Sequence, residues 1–207
     1  MRSLFLISFL AILSFNLRAD SPLTSTNFYT VYEEYDIVHD ALDAKGKITN
    51  EIMLYLSDRS YPIDIKVAAI NALGWNFNGQ DNFKTYLDFI EMRLGITQDQ
   101  ESFFKKIDAD ELLCLAYLKA MDNYFDVKEA KQLAELAILK SRRAQFSYTF
   151  QLINGLIGAQ IAMDDSWCKV YQLTQKVKEN NSLNYDFPEE AEDVVFEYMD
   201  LYHKECN

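Results

Sequence analysis

The stretch "DVKEAKQLAELAILK", Asp126–Lys140, decides the fold class. Val127, Ala130, Leu133, Ala134, Ala137 and Ile138 recur at three- and four-residue steps and make one apolar stripe. Lys128, Glu129, Lys131, Gln132 and Glu135 take the other faces, which is the pattern of an amphipathic helix. "PEEAEDVVFEYMDLYHKEC", Pro188–Cys206, repeats the logic through Ala191, Val194, Val195, Tyr198 and Tyr202, and Cys206 falls one turn further along that stripe. Working outward, the same periodicity predicts helices over 28–44, 48–57, 62–76, 80–94, 108–124, 126–141, 145–163, 164–180 and 188–205, with another partial turn within 95–107.

Breakers fit between these segments. Pro22, Pro62 and Pro188 stand where helices can begin, and Glu189 and Glu190 after Pro188 suit a positive helix end. Gly46, Gly79 and Gly95 separate segments, whereas Gly155 and Gly158 lie inside one and are expected to let two helices approach closely. "QFSYTFQL", Gln145–Leu152, alternates like a strand at Phe146, Tyr148, Phe150 and Leu152. Phe146, Phe150, Ile153, Ile157 and Ile161 nevertheless continue a helical stripe, so we read it as helix. Short links make consecutive helices antiparallel neighbours. The expectation is an all-α chain, with antiparallel helix pairs stacked as a short irregular superhelix or as a globular helical array.

The N-terminus speaks to location. Arg2, the uncharged run "LFLISFLAILSF" and "NLRAD" have the order of a secretory signal peptide, shorter in its apolar run than the roughly 20 residues of a spanning helix. Residues 1–19 are read as that signal, with cleavage after Ala19, and 20–207 as a single exported domain, periplasmic or secreted. Loss of Arg2 and Arg18 would take the formal net charge from -12 to -14. So acidic a surface argues against nucleic acid and anionic membranes, and suits a basic protein partner.

Three cysteines follow the signal. Cys114 lies within the apolar "ELLCLAYL" and reads as a core residue, which leaves Cys168 and Cys206 as a possible disulfide.

One short stretch resembles a known family. "DIKVAAINALG", Asp64–Gly74, sets an acid, a β-branched residue, a basic residue and small residues before a Leu-Gly pair. It resembles the inner helix of HEAT and armadillo-type repeats. "DELLCLAYLKAMD", Asp110–Asp122, is a fainter copy, without the acid, branched, basic triplet. The resemblance implies stacked helix pairs that bind a protein or peptide, and it brings no catalytic residues.

Motifs for chemistry are few. There is no phosphate loop, dinucleotide fingerprint, G-x-S-x-G elbow, H-E-x-x-H or C-x-x-C, and only two histidines. His39 with Asp36, Asp40 and Asp43 could share a proton or a metal, but reads more simply as a solvated acidic helix face. His203 with Cys206 has a metal-ligand spacing, but Cys168 is the one further ligand at hand and the disulfide competes for both sulfurs, so no metal or cofactor is expected. The candidate binding residues are Trp75, Phe77, Asn78 and Asp81 in a polar turn, together with Glu189, Glu190, Asp193 and Glu197 on the last helix. The function expected is a non-enzymatic protein-binding module of the immunity or inhibitor type, with a basic partner. A small secreted carboxylate-dependent hydrolase and a structural envelope component are the alternatives.

Overall fold

A computed structural model of the chain describes residues 21–206; the expected signal peptide, 1–19, lies outside the described residues. The protein is all-α. The helices are α1 (Asp36–Asp43), α2 (Asn50–Ser57), α3 (Ile63–Leu73), α4 (Asn82–Leu94), α5 (Glu101–Lys106) and α6 (Ala109–Asp122). They are followed by α7 (Lys128–Leu139), α8 (Arg142–Phe146), α9 (Tyr148–Ala162), α10 (Trp167–Lys178) and α11 (Glu189–Met199). Tight 3-10 turns cover Phe28–Tyr32 and Asp200–Cys206, and no strand occurs among the described residues.

Three segments differ in kind from those read in the sequence, two of them through a tertiary contact or a cap, while the other boundaries shift by up to three residues. The segment 28–44 divides because Tyr35 is extended (φ -93°, ψ 123°) and α1 starts only at Asp36. The preceding turn is anchored instead by Tyr32, whose ring is buried and whose hydroxyl donates to Asp64 Oδ2 at 3.3 Å. The segment 145–163 divides at Ser147, which leaves the helical region and accepts the Phe150 N–H at 3.2 Å as the cap of α9. Asn184 pairs with the chain there through Tyr148 N–H at 3.0 Å, a single bridge where the sequence alternates like a strand. The last predicted helix ends at Met199 and tightens into the 3-10 turn.

Helix α6 is the axis of the array. All its residues from Ala109 to Asp122 are buried except Lys119, as expected of a helix covered on every side. It packs against α2, α3, α4, α7 and α9, while α10 packs on α9. Asp108 and Glu111 start it with a reciprocal capping box. Asn71, buried on α3, accepts Tyr29 N–H at 3.0 Å and donates to the Thr26 carbonyl at 3.2 Å and to Tyr117 Oη at 2.9 Å. One side chain thus joins the N-terminal segment, α3 and α6.

The two ends of the described segment meet. The Phe28–Tyr32 turn packs on α11, and the Phe28 and Phe187 rings lie edge to face with centroids 5.3 Å apart. The stack therefore closes into a globular array. Gly155 and Gly158 do face neighbouring helices, yet an added Cβ would stand 3.4 Å from Val177 and 3.5 Å from Lys131, which is ordinary contact. Cys168 and Cys206 are bonded, with Cα atoms 4.7 Å apart, and tie the terminal turn to α10 beside the stacked Trp167 and Tyr202 rings. Cys114 is the free, buried third cysteine.

Candidate functional site

Two connections at one edge of α6 build the most exposed aromatic feature among the described residues. Gly74 (φ 71°) ends α3 and sends the chain into 75–81, and Gly79 (φ 80°) turns it back, conformations that favour glycine. The Asn76 side chain accepts Asn78 N–H at 2.9 Å and its carbonyl accepts Gly79 N–H at 2.9 Å, a turn of the Asx kind. After α6 a second Asx turn follows: Asn123 Oδ1 accepts Phe125 N–H at 3.3 Å.

Asp122 fastens the two loops together. Its carbonyl accepts Gln80 N–H at 3.1 Å and its Oδ2 accepts Phe83 N–H at 2.7 Å at the start of α4. Its Oδ1 is buried without a hydrogen-bond partner. Burial raises its carboxyl from an ordinary 3.8 to about 6, against the lowering effect of the Phe83 and Asn82 N–H groups.

The rings that result stand together. Phe77 and Phe125, 67% and 66% exposed, meet edge to face at 5.6 Å. Behind them Trp75 is half-buried and meets the buried Tyr124 at 5.1 Å, and Tyr124 touches Phe125 at 4.3 Å. Asn78 and Asp81 are exposed on the same loop. A cleft of about 270 Å³ adjoins, lined by Asp81, Asp122, Asp126, Glu129, Lys84 and Lys119. Lys119 pairs with Glu129 at 2.8 Å and lies 4.2 Å above the Phe83 ring. The arrangement offers apolar anchor rings beside a mainly acidic border. Tyr124 and Phe125 escape the sequence reading because "NYFD" sits between two helical stripes; an Asn turn carrying two adjacent rings was the available signal.

The other predicted binding residues form a separate surface. Glu189, Glu190, Asp193 and Glu197 are all exposed, with Glu189, Asp193 and Glu197 at four-residue steps on one face of α11. The inward acid of that helix, Glu192, instead accepts Tyr185 Oη at 2.6 Å and lies 3.9 Å from Lys178. α11 packs on the Phe28–Tyr32 turn, α10 and the terminal turn, whereas the aromatic loops are fastened to the start of α4. The structure does not merge the two sets.

Residues weighed for catalysis or metal are not assembled into an enclosed centre. His39, Asp36, Asp40 and Asp43 are exposed on α1, and Cys206 is in the disulfide while His203 packs on Tyr171 at 4.9 Å. Among the described residues no group of three or more His, Cys, Asp or Glu is arranged for a metal ion. Asp64 and Asp186 are neighbouring acids, and burial, with the Asp186 charge adding to it, raises Asp64. Both serve the scaffold: Asp64, in the first turn of α3, accepts Tyr32 Oη at 3.3 Å. Asp186 accepts Thr149 N–H at 2.9 Å and Ser147 Oγ at 2.6 Å at the start of α9. Comparison with family models, with curated proteins and with solved structures finds no match for this chain.

Proposed function

We propose that this chain is an exported, non-enzymatic binding protein that docks on another protein through the exposed rings of Phe77 and Phe125, backed by Trp75 and Tyr124. The observation that carries the reading is the Phe77–Phe125 pair, two large rings each about two-thirds exposed and touching at 5.6 Å. Paired exposed aromatics cost solvation in a monomer and are the residue type that anchors interfaces. Asp81, Asp126 and Glu129 around these rings, within a chain of net charge -12, fit a partner with an apolar socket and a basic rim. The resemblance of Asp64–Gly74 to a HEAT inner helix supports the same class of function, and export rests on the signal-like residues 1–19.

The test is affinity capture from an envelope fraction with the tagged chain and with the double variant Phe77→Ala, Phe125→Ala. Because both rings are exposed, the variant is expected to keep its helical circular dichroism. A basic protein retained by the native chain at low salt, released at high salt and absent from the variant supports the reading. Identical retention by both proteins, or nothing retained by either, overturns it.

A further inference from the structure

The connections that lead into α3, α6 and α8 form a cleft of about 620 Å³ at one place on the array. Arg59 and Tyr61 come from the first, Lys105 and Lys106 from the end of α5, and Lys140 and Arg143 from the third. Five basic side chains line it against two acidic ones, Asp108 and Asp110, in a chain whose net charge is -12. Clustering like charges costs mutual repulsion, and here it makes a local patch opposite in sign to the net charge of the molecule.

Both acids already hold other groups. Asp108 caps α6 by accepting Glu111 N–H at 2.8 Å and accepts Arg59 Nε at 2.7 Å. Asp110 pairs with Arg143 and stands 3.8 Å from the buried Lys66 Nζ. The acids thus fix the two guanidinium groups at the cleft, and Arg59, bonded through Nε, keeps its terminal nitrogens for a ligand. Lys140 reaches the Phe104 carbonyl, where burial lowers its affinity for a proton, a cost that a bound anion would relieve. α3 and α6, of 11 and 14 residues, both begin at the cleft, and their positive ends add to its potential, although the first turn of α6 is already capped by Asp108 and Glu111 and that of α3 carries Asp64. Tyr61 adds a flat wall, stacked on Tyr55 at 3.9 Å.

We propose that this cleft is a binding site for a small ligand bearing sulfate or phosphate groups. Guanidiniums and lysines gathered in one cleft are the donors that tetrahedral oxyanions select. The volume suits a molecule of a few rings rather than a single ion. This site is independent of the exposed aromatic rings and of any protein partner.

The experiment is calorimetric titration of the full chain at low salt with two probes, inorganic pyrophosphate and a sulfated tetrasaccharide. At least one is expected to bind, with affinity that falls as salt rises. The pair Lys106→Gln, Lys140→Gln should weaken binding by about tenfold or more. Tyr61→Ala should weaken the saccharide and leave pyrophosphate unchanged, which separates a sugar-borne sulfate from a free phosphate source. Lys106→Glu alone, at an exposed position, repeats the test should the double variant melt early. No heat with either probe, or binding unchanged in the lysine variants, overturns the proposal.

Discussion

Replacing Asp122 by asparagine is expected to flatten the dependence of stability on pH. In the native chain Oδ2 accepts Phe83 N–H at 2.7 Å while Oδ1 is buried without a partner, and burial raises the carboxyl from 3.8 to about 6. The folded protein therefore holds this proton more tightly than the unfolded chain. The stabilisation that protonation brings is full below 3.8 and is lost as pH rises through about 6. A rise of about two pH units at ~1.4 kcal/mol each gives about 3 kcal/mol. The adjoining cleft admits solvent, so screening reduces the expected total to ~1–2 kcal/mol. About 1 kcal/mol of that falls between about pH 5 and about pH 7.5.

Urea unfolding of both proteins, followed by tryptophan fluorescence across that range, measures the effect. In the Asp122→Asn variant the amide would still offer an oxygen to Phe83 N–H, so the cap survives while the titration disappears. Asp64 and Glu111, also raised by burial, leave both proteins with a shared residual slope, and only the difference between them belongs to Asp122. Parallel stability–pH curves for the two proteins would refute the reasoning. So would a native chain that loses stability relative to the variant on mild acidification.

Other perturbations test the scaffold. Paired substitution of Cys168 and Cys206 by serine opens a loop with a sequence separation of 38 and should cost at most about 4 kcal/mol, read as a lower melting temperature; an unchanged melt would mean that the bridge adds nothing. Cys114 is fully buried and its thiol is pushed well above the ordinary range, so a thiol reagent should label the oxidised native chain only after unfolding. Lys66→Met removes a buried ammonium without a hydrogen-bond partner and should be neutral or stabilising, whereas Asp110→Ala strands that charge and should cost ~3 kcal/mol; the reverse order of melting temperatures would defeat this account. Asn71→Ala leaves Tyr29 N–H, the Thr26 carbonyl and Tyr117 Oη without their partner and should cost ~2–4 kcal/mol by chemical denaturation, far more than alanine at an exposed asparagine such as Asn78.

By itself the sequence determined the helical class and most helix faces. The signal is local: spacing such as Val127, Ala130, Ala134 and Ala137 is set by 3.6 residues per turn whatever lies opposite, and the buried stripe of α7 follows it. The disulfide was legible by elimination, because Cys114 sits in an apolar run and leaves Cys168 and Cys206. The α-helical spacing read for Cys206 did not survive, since α11 ends at Met199 and a 3-10 turn carries Cys206. The loop of Trp75, Phe77, Asn78 and Asp81 could also be picked out, since rings and turn residues are local facts. Tertiary structure decided the rest. Tyr35 and Ser147 break predicted helices because Asp64 holds Tyr32, and because Asn184 and Asp186 hold the start of α9, partners remote in the chain. Phe125 joins Phe77 because Asp122 ties two separate loops, and the basic cleft exists because three connections meet in space. Periodicity encodes which way a side chain faces on its own helix. Which helix stands opposite depends on how all the apolar stripes are buried at once, and that is settled only when the chain has folded.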